Sequence, residues 1–116
     1  MISPLSEADI IALVKEEMNK LDDVRLFYTC RQFNVKQKQL KYVRCLLALD
    51  ELGLPINSLW VHDILQTDYR SALVSLHNLG DKHVIVLKRK KGRQLEWVLH
   101  PFFKKTAMGL CCEKVD

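Results

Sequence analysis

Asn57-Ser58-Leu59-Trp60-Val61-His62-Asp63-Ile64-Leu65-Gln66-Thr67-Asp68-Tyr69-Arg70-Ser71-Ala72-Leu73-Val74-Ser75-Leu76-His77-Asn78-Leu79-Gly80 is the stretch that decides the fold. Asn57 or Ser58 can cap a short helix ending near Leu65, Gln66 makes the turn, and Thr67 or Asp68 caps a second helix running to Leu79. In that second helix Tyr69, Ala72, Leu73, Leu76 and Leu79 recur at helical spacing and share one face. Arg70, Ser71, Val74, Ser75 and Asn78 fall on the other. Gly80 is expected to supply the left-handed residue that ends it.

Past Gly80 the period changes. His83-Val84-Ile85-Val86-Leu87 is rich in β-formers, and Leu95, Trp97 and Leu99 alternate with Glu96, Val98 and His100. With the loop Lys90-Lys91-Gly92-Arg93 between them, these runs read as an antiparallel hairpin with cations at its tip. Upstream, Leu40, Val43, Leu46, Leu47 and Leu52 stripe a helix over about 35–52, stopped by Gly53. Lys36, Lys38, Lys41 and Arg44 crowd its first half and read as a solvated surface. Leu54-Pro55-Ile56 is then extended, because a residue before proline avoids the helical region.

Nearer the start, Ser6-Glu7-Ala8-Asp9 forms a capping box, with Leu5 and Ile10 as its hydrophobic staple. Ile10, Ile11, Val14, Met18 and Leu21 then line an amphipathic helix over about 7–21, which Asp22-Asp23 should end. Val24 to Asn34 has bulky residues but no clean period, and reads as a packed connector or short helix. Phe102 and Phe103 open a last short helix to about Leu110. The expected organisation is one domain over 1–116: N-terminal helix and connector (1–34), core (36–100) and C-terminal segment (101–116).

Composition narrows the function. The 116 residues are 48% hydrophobic and 28% charged, with only four Gly and three Pro, so an ordinary globular core is affordable and a disordered or collagenous chain is not expected. No apolar run approaches the ~20 residues of a membrane helix, and the first seven residues lack the basic and apolar regions of a secretory signal. A cytoplasmic protein is expected, associated with the nucleoid if it binds DNA. Cys30, Cys45, Cys111 and Cys112 show no CxxC pair and read as reduced thiols rather than zinc ligands or a disulfide framework. His62, His77, His83 and His100 lack metal or catalytic spacing, and no phosphate loop, nucleophile elbow or dinucleotide fingerprint occurs. Neither an enzyme nor a cofactor is expected. The formal net charge of +4 is uneven: residues 1–35 carry −2 and residues 36–116 carry +6. That focus suits an anionic partner.

The order helix, extended piece, short helix, turn, helix, hairpin over about 36–100 resembles a winged helix-turn-helix domain. The resemblance rests on Leu40–Gly53, Ser58–Gly80 and His83–His100. It implies an α+β, mainly α fold, a three-helix core plus β-hairpin wing, with the N-terminal helix and C-terminal segment added. It also implies double-stranded DNA as partner, read by the helix 67–79 in the major groove, as a small transcriptional regulator. Arg70 would then pair with guanine, Asn78 with adenine, and Val74 with a thymine methyl, alongside Ser71 and Ser75. Thr67 and Tyr69 would meet phosphate, helped by free amides at the helix start. Lys88, Arg89, Lys90, Lys91 and Arg93 of the wing would supply most of the sequence-independent attraction.

Two further readings stay open. Ile10, Val14, Met18 and Leu21 can contact a second copy as a homodimer on a palindromic site, or pack on their own domain. The fold also hosts protein–protein interaction modules that do not bind DNA, here with the acidic N-terminal helix and its apolar stripe as the docking surface, and the sparse charge of the 70–78 face keeps such a use open. Single-stranded RNA is disfavoured by the lack of interleaved exposed aromatics.

Overall fold

Capping explains why the first two helices form separately. The computed structural model describes residues 6–91 and 94–111, the side chains of 91, 94 and 108–111 excepted. Ser6 and Asp9 make the expected capping box at the start of α1 (Glu7–Asn19). Asp22 does more than end that helix. Its Oδ1 accepts from the Val24 and Arg25 N–H groups at 2.9 and 3.3 Å, starting α2 (Asp23–Gln32) where no clear period was visible. After Lys36, a 3₁₀ turn (Gln37–Gln39) leads into α3 (Leu40–Glu51). The expected start at 35 is therefore corrected: Lys36 is extended, at ψ 154°.

Next come α4 (Ser58–Leu65), capped by Asn57, and α5 (Tyr69–Asp81), capped by Asp68. Gln66, left-handed at φ 54°, turns the chain between them. The ends of α2, α3 and α5 share one device. In each, a left-handed residue lets the following N–H reach back five residues: Val35 to the Cys30 carbonyl, Leu54 to Leu49, and Val84 to Leu79. The left-handed residues are Asn34, Gly53 and His83. Gly80, expected in that role, lies inside α5 instead.

Strands β1 (Ile85–Lys91) and β2 (Gln94–Leu99) pair antiparallel, with Ile85 opposite Leu99, Leu87 opposite Trp97, and a bulge between Leu87 and Arg89. The extended piece joins them: the Trp97 N–H donates to the Ile56 carbonyl at 2.9 Å. A closing helix, α6 (Pro101–Cys111), packs on α2. Lys90 and Lys91, expected in the loop, belong to the strand, paired with Leu95 and Gln94, so the cations Lys88 to Lys91 run along the wing up to its tip. Gly92 and Arg93, expected there, lie outside the described residues.

One apolar core runs through the chain from Val14 of α1 to Phe103 and Ala107 of α6. It is centred on Val43, Leu46 and Leu49 of α3, packed against Val61, Ile64, Leu76 and Leu79. Val14 is 0% exposed, and Ile10 and Met18 pack against the same core. This corrects the dimer expectation for Val14, which is sealed inside its own chain. Leu21 is half-buried.

Candidate nucleic-acid interface

The exposed side of α5 exists because its other side is fully committed to the core: Ala72, Leu76 and Leu79 are each 0% exposed. The helical period leaves Arg70, Ser71, Val74, Ser75 and Asn78 on the opposite side, with Val74 60% exposed. All five line one open cleft of about 650 Å³. The cleft's second wall comes from Lys36, Lys38 and Gln39 at the 3₁₀ turn and Lys41 at the start of α3, and Lys82 extends the α5 side.

Gln39 holds the two walls together. Its side chain is only 9% exposed, and its Nε2 donates to Asn78 Oδ1 at 3.1 Å across 39 residues of chain. A buried amide needs such a partner. With Oδ1 engaged by Gln39, the Asn78 amide presents its NH₂ as the free donor.

Charge in the cleft is one-sided. Lys36, Lys38, Lys41, Arg70 and Lys82 face one carboxylate, Asp68. That carboxylate accepts from the Ser71 N–H at 3.2 Å, which satisfies part of the helix's own N-terminal polarity. The same cap engages the Ser71 N–H and sets a carboxylate beside the first turn of α5, which weakens the pull of its remaining amides on phosphate.

Thr67 also departs from expectation. Its hydroxyl is buried and has no hydrogen-bond partner, while its carbonyl accepts from His62 Nδ1. It does not present its hydroxyl to solvent. Tyr69 is 39% exposed, and its hydroxyl accepts from Ser58 Oγ at 3.1 Å. The Tyr69 ring meets the His62 ring edge-on, with centroids 6.0 Å apart.

The wing stands on the C-terminal half of α5 through Trp97, whose ring lies against Gly80 and meets His77 edge-on with centroids 5.4 Å apart. Lys88 and Arg89 both turn to Glu96, at 3.3 and 3.4 Å. Partial desolvation alone would raise the Glu96 pKa. The hydrogen bond from Lys88 and the charge and hydrogen bond of Arg89 outweigh it and hold the carboxyl below its ordinary value. Lys90 is exposed. The Lys91 side chain and all of Arg93 lie outside the described residues.

Reasoning from sequence set aside Lys36, Lys38 and Lys41 as a solvated surface and missed Lys82 and Gln39. Lys82 follows Asn78 by four residues, the same-face spacing. Its place on that face is hidden in the sequence, where Gly80 reads as the residue that ends the helix. Arg44, the remaining cation of that cluster, instead pairs with Asp23 and donates to the Met18 carbonyl.

Among the described residues no three His, Cys, Asp or Glu side chains gather as a metal site, and no helix is long and apolar enough to cross a membrane. No protein-family model matches the chain, and no curated protein matches it in sequence. Among solved structures it is similar to a point mutant of MepR, a MarR-family winged-helix regulator, from a multidrug-resistant S. aureus clinical isolate. The TM-score is 0.58 at 15% identity, covering 93% of this chain and 75% of that one. The likeness establishes a winged-helix fold, in agreement with the six α-helices and two-stranded hairpin among the described residues.

Proposed function

We propose that this chain binds double-stranded DNA with sequence preference and acts as a small transcriptional regulator, without a cofactor. The observation that carries the reading is the cleft: a helix face of Arg70 and short side chains running beside a one-sided wall of lysines. A helix of this width enters a major groove of about 12 Å, where short polar side chains and an arginine can reach base edges. Arg70 is the residue for guanine and Val74 for a thymine methyl. Asn78, held by Gln39, offers its NH₂ to an acceptor such as adenine N7. Tyr69, Ser71 and Ser75 complete the face, with Lys90, Lys91 and Arg93 as the wing's further cations. Thr67 is set aside from the contact set because its hydroxyl is enclosed. That a regulator shares the fold supports the reading.

The test is titration of labelled duplex DNA at several salt concentrations, followed by selection of bound duplexes from a random pool. Neutralising about five phosphates gives a log–log salt slope between about −4 and −5. Selection should return a motif that Arg70→Ala relaxes at one position by ~1–3 kcal/mol. No binding at low salt, or a flat salt response, overturns the proposal.

The second reading, a module that docks on protein, draws on Val24 and Tyr28 of α2 and Phe102 of α6, which are 64%, 57% and 65% exposed. Nuclease-resistant capture of a stoichiometric protein partner, with no duplex binding, would favour it.

A further inference from the structure

We infer that the principal grip on the DNA backbone comes from Lys36, Lys38 and Lys82, the rim of the α5 cleft, and not from Lys88 and Arg89 of the wing. The inference rests on the duplex-binding reading and specifies which groups meet phosphate.

Pairing of charges is the first ground. Lys36, Lys38 and Lys82 make no ion pair among the described residues. Lys88 and Arg89, by contrast, share Glu96. A cation already facing a carboxylate releases fewer counterions on meeting phosphate, since part of its charge is neutralised beforehand. The sequence suggests a wing carrying most of the attraction, and Glu96 weakens that part.

Placement is the second ground. Lys36 and Lys38 do not lie on a loose strand of chain. Val35 beside them is 5% exposed, Lys36 begins the 3₁₀ turn, and Gln39 fastens that turn to α5 through Asn78. Lys82 caps the C-terminal end of α5, its N–H donating to the Asn78 carbonyl. A helix seated in a groove about as wide as itself places its flanking groups opposite the phosphates that border the groove. The lysine wall is the flank that the fold holds rigidly beside the reading face. Lys41 is left out of the set because its ammonium lies 5.3 Å from the centre of the Tyr42 ring, a structural partner of its own.

The experiment compares three forms of the full chain on duplex DNA over a range of salt. One carries Lys36→Ala, Lys38→Ala and Lys82→Ala together; another carries the same three positions as Arg; the last carries Lys88→Ala and Arg89→Ala. Circular dichroism melts confirm that each is folded, as expected with Lys36 and Lys38 exposed and Lys82 half-buried. For the triple alanine form the salt slope should become shallower by about 2 to 3, with affinity at low salt down by roughly a hundredfold. The loss should be equal on preferred and random sequences, because phosphates carry no sequence information. The triple arginine form should keep the original slope, and the wing pair should change it by less than about 1. If the unaltered chain binds duplex with a steep slope that the triple alanine form retains, this inference fails and the proposed function stands. The same holds if the wing pair flattens the slope more than the triple does. If the unaltered chain binds no duplex, both fall together.

Discussion

Gly80 lies in the last turn of α5 with ordinary helical geometry, so its lack of a side chain serves proximity rather than backbone freedom. A Cβ built there would come 3.0 Å from Trp97 Cζ3 and 3.4 Å from Cη2. The indole has little room to retreat. It is 7% exposed, touches the His77 ring, and its backbone N–H is tied to Ile56. Gly→Ala inside a helix ordinarily gains ~1 kcal/mol. Crowding a filled core ordinarily costs ~1–3 kcal/mol. Here the second effect should win, because the clashing atoms belong to a rigid ring that positions the wing. Gly80→Ala is expected to lose about 1 kcal/mol net, lowering Tm by about 4 °C in a thermal melt. A Tm that rises instead would mean that the ring yields freely.

The start of α2 shows how one short motif serves two elements. Asp22 follows α1, where an anion is unfavourable to a helix C-terminus, and its carboxylate then caps the helix that begins one residue later. Asp22→Ala should cost about 1 kcal/mol in chemical denaturation, and Asp22→Asn, which keeps the capping oxygen, much less. Equal losses for both would point to charge rather than to the cap. The helix-turn-helix was legible because its apolar residues keep a 3.6 period between clear caps, and the hairpin because Leu95, Trp97 and Leu99 alternate. The extent of β1 was not. Lys88 to Lys91 carry no alternation, and pairing with β2 makes them strand. The reading face of α5 was visible as the complement of its buried stripe. The lysine wall was not, since it depends on Gln39 meeting a residue 39 positions away, a contact that no local period encodes. Nor could periodicity locate the left-handed residue at the end of α5, where His83 occupies φ 64° in place of the expected glycine.

Helix α3 touches α1, α2, α4, α5 and β2, so the interior of the entire fold meets around it. Cys45 sits there at 0% exposure, and desolvation pushes its thiol from an ordinary 9.0 up to about 12. Burial penalises the thiolate, so the folded chain holds the proton longer than the unfolded chain does. Well below pH 9.0 both states are protonated and Cys45 adds no pH dependence. Between 9.0 and about 12 the unfolded chain loses the proton while the folded chain keeps it, so stability must fall as pH rises. The contribution approaches about 1 kcal/mol per pH unit within that window. Lysines and tyrosines titrate in the same range, which makes the comparison with Cys45→Ala necessary. The alanine form carries the same other groups and a cavity penalty that does not vary with pH. The stability advantage of the natural chain over Cys45→Ala, measured by urea denaturation, should therefore be constant well below pH 9.0 and shrink as pH rises through it. In the folded state the thiol should resist alkylation at neutral pH and become reactive only as urea opens the core. An advantage that stays constant into the alkaline range would mean that solvent reaches Cys45, and that the helices around α3 separate without global unfolding.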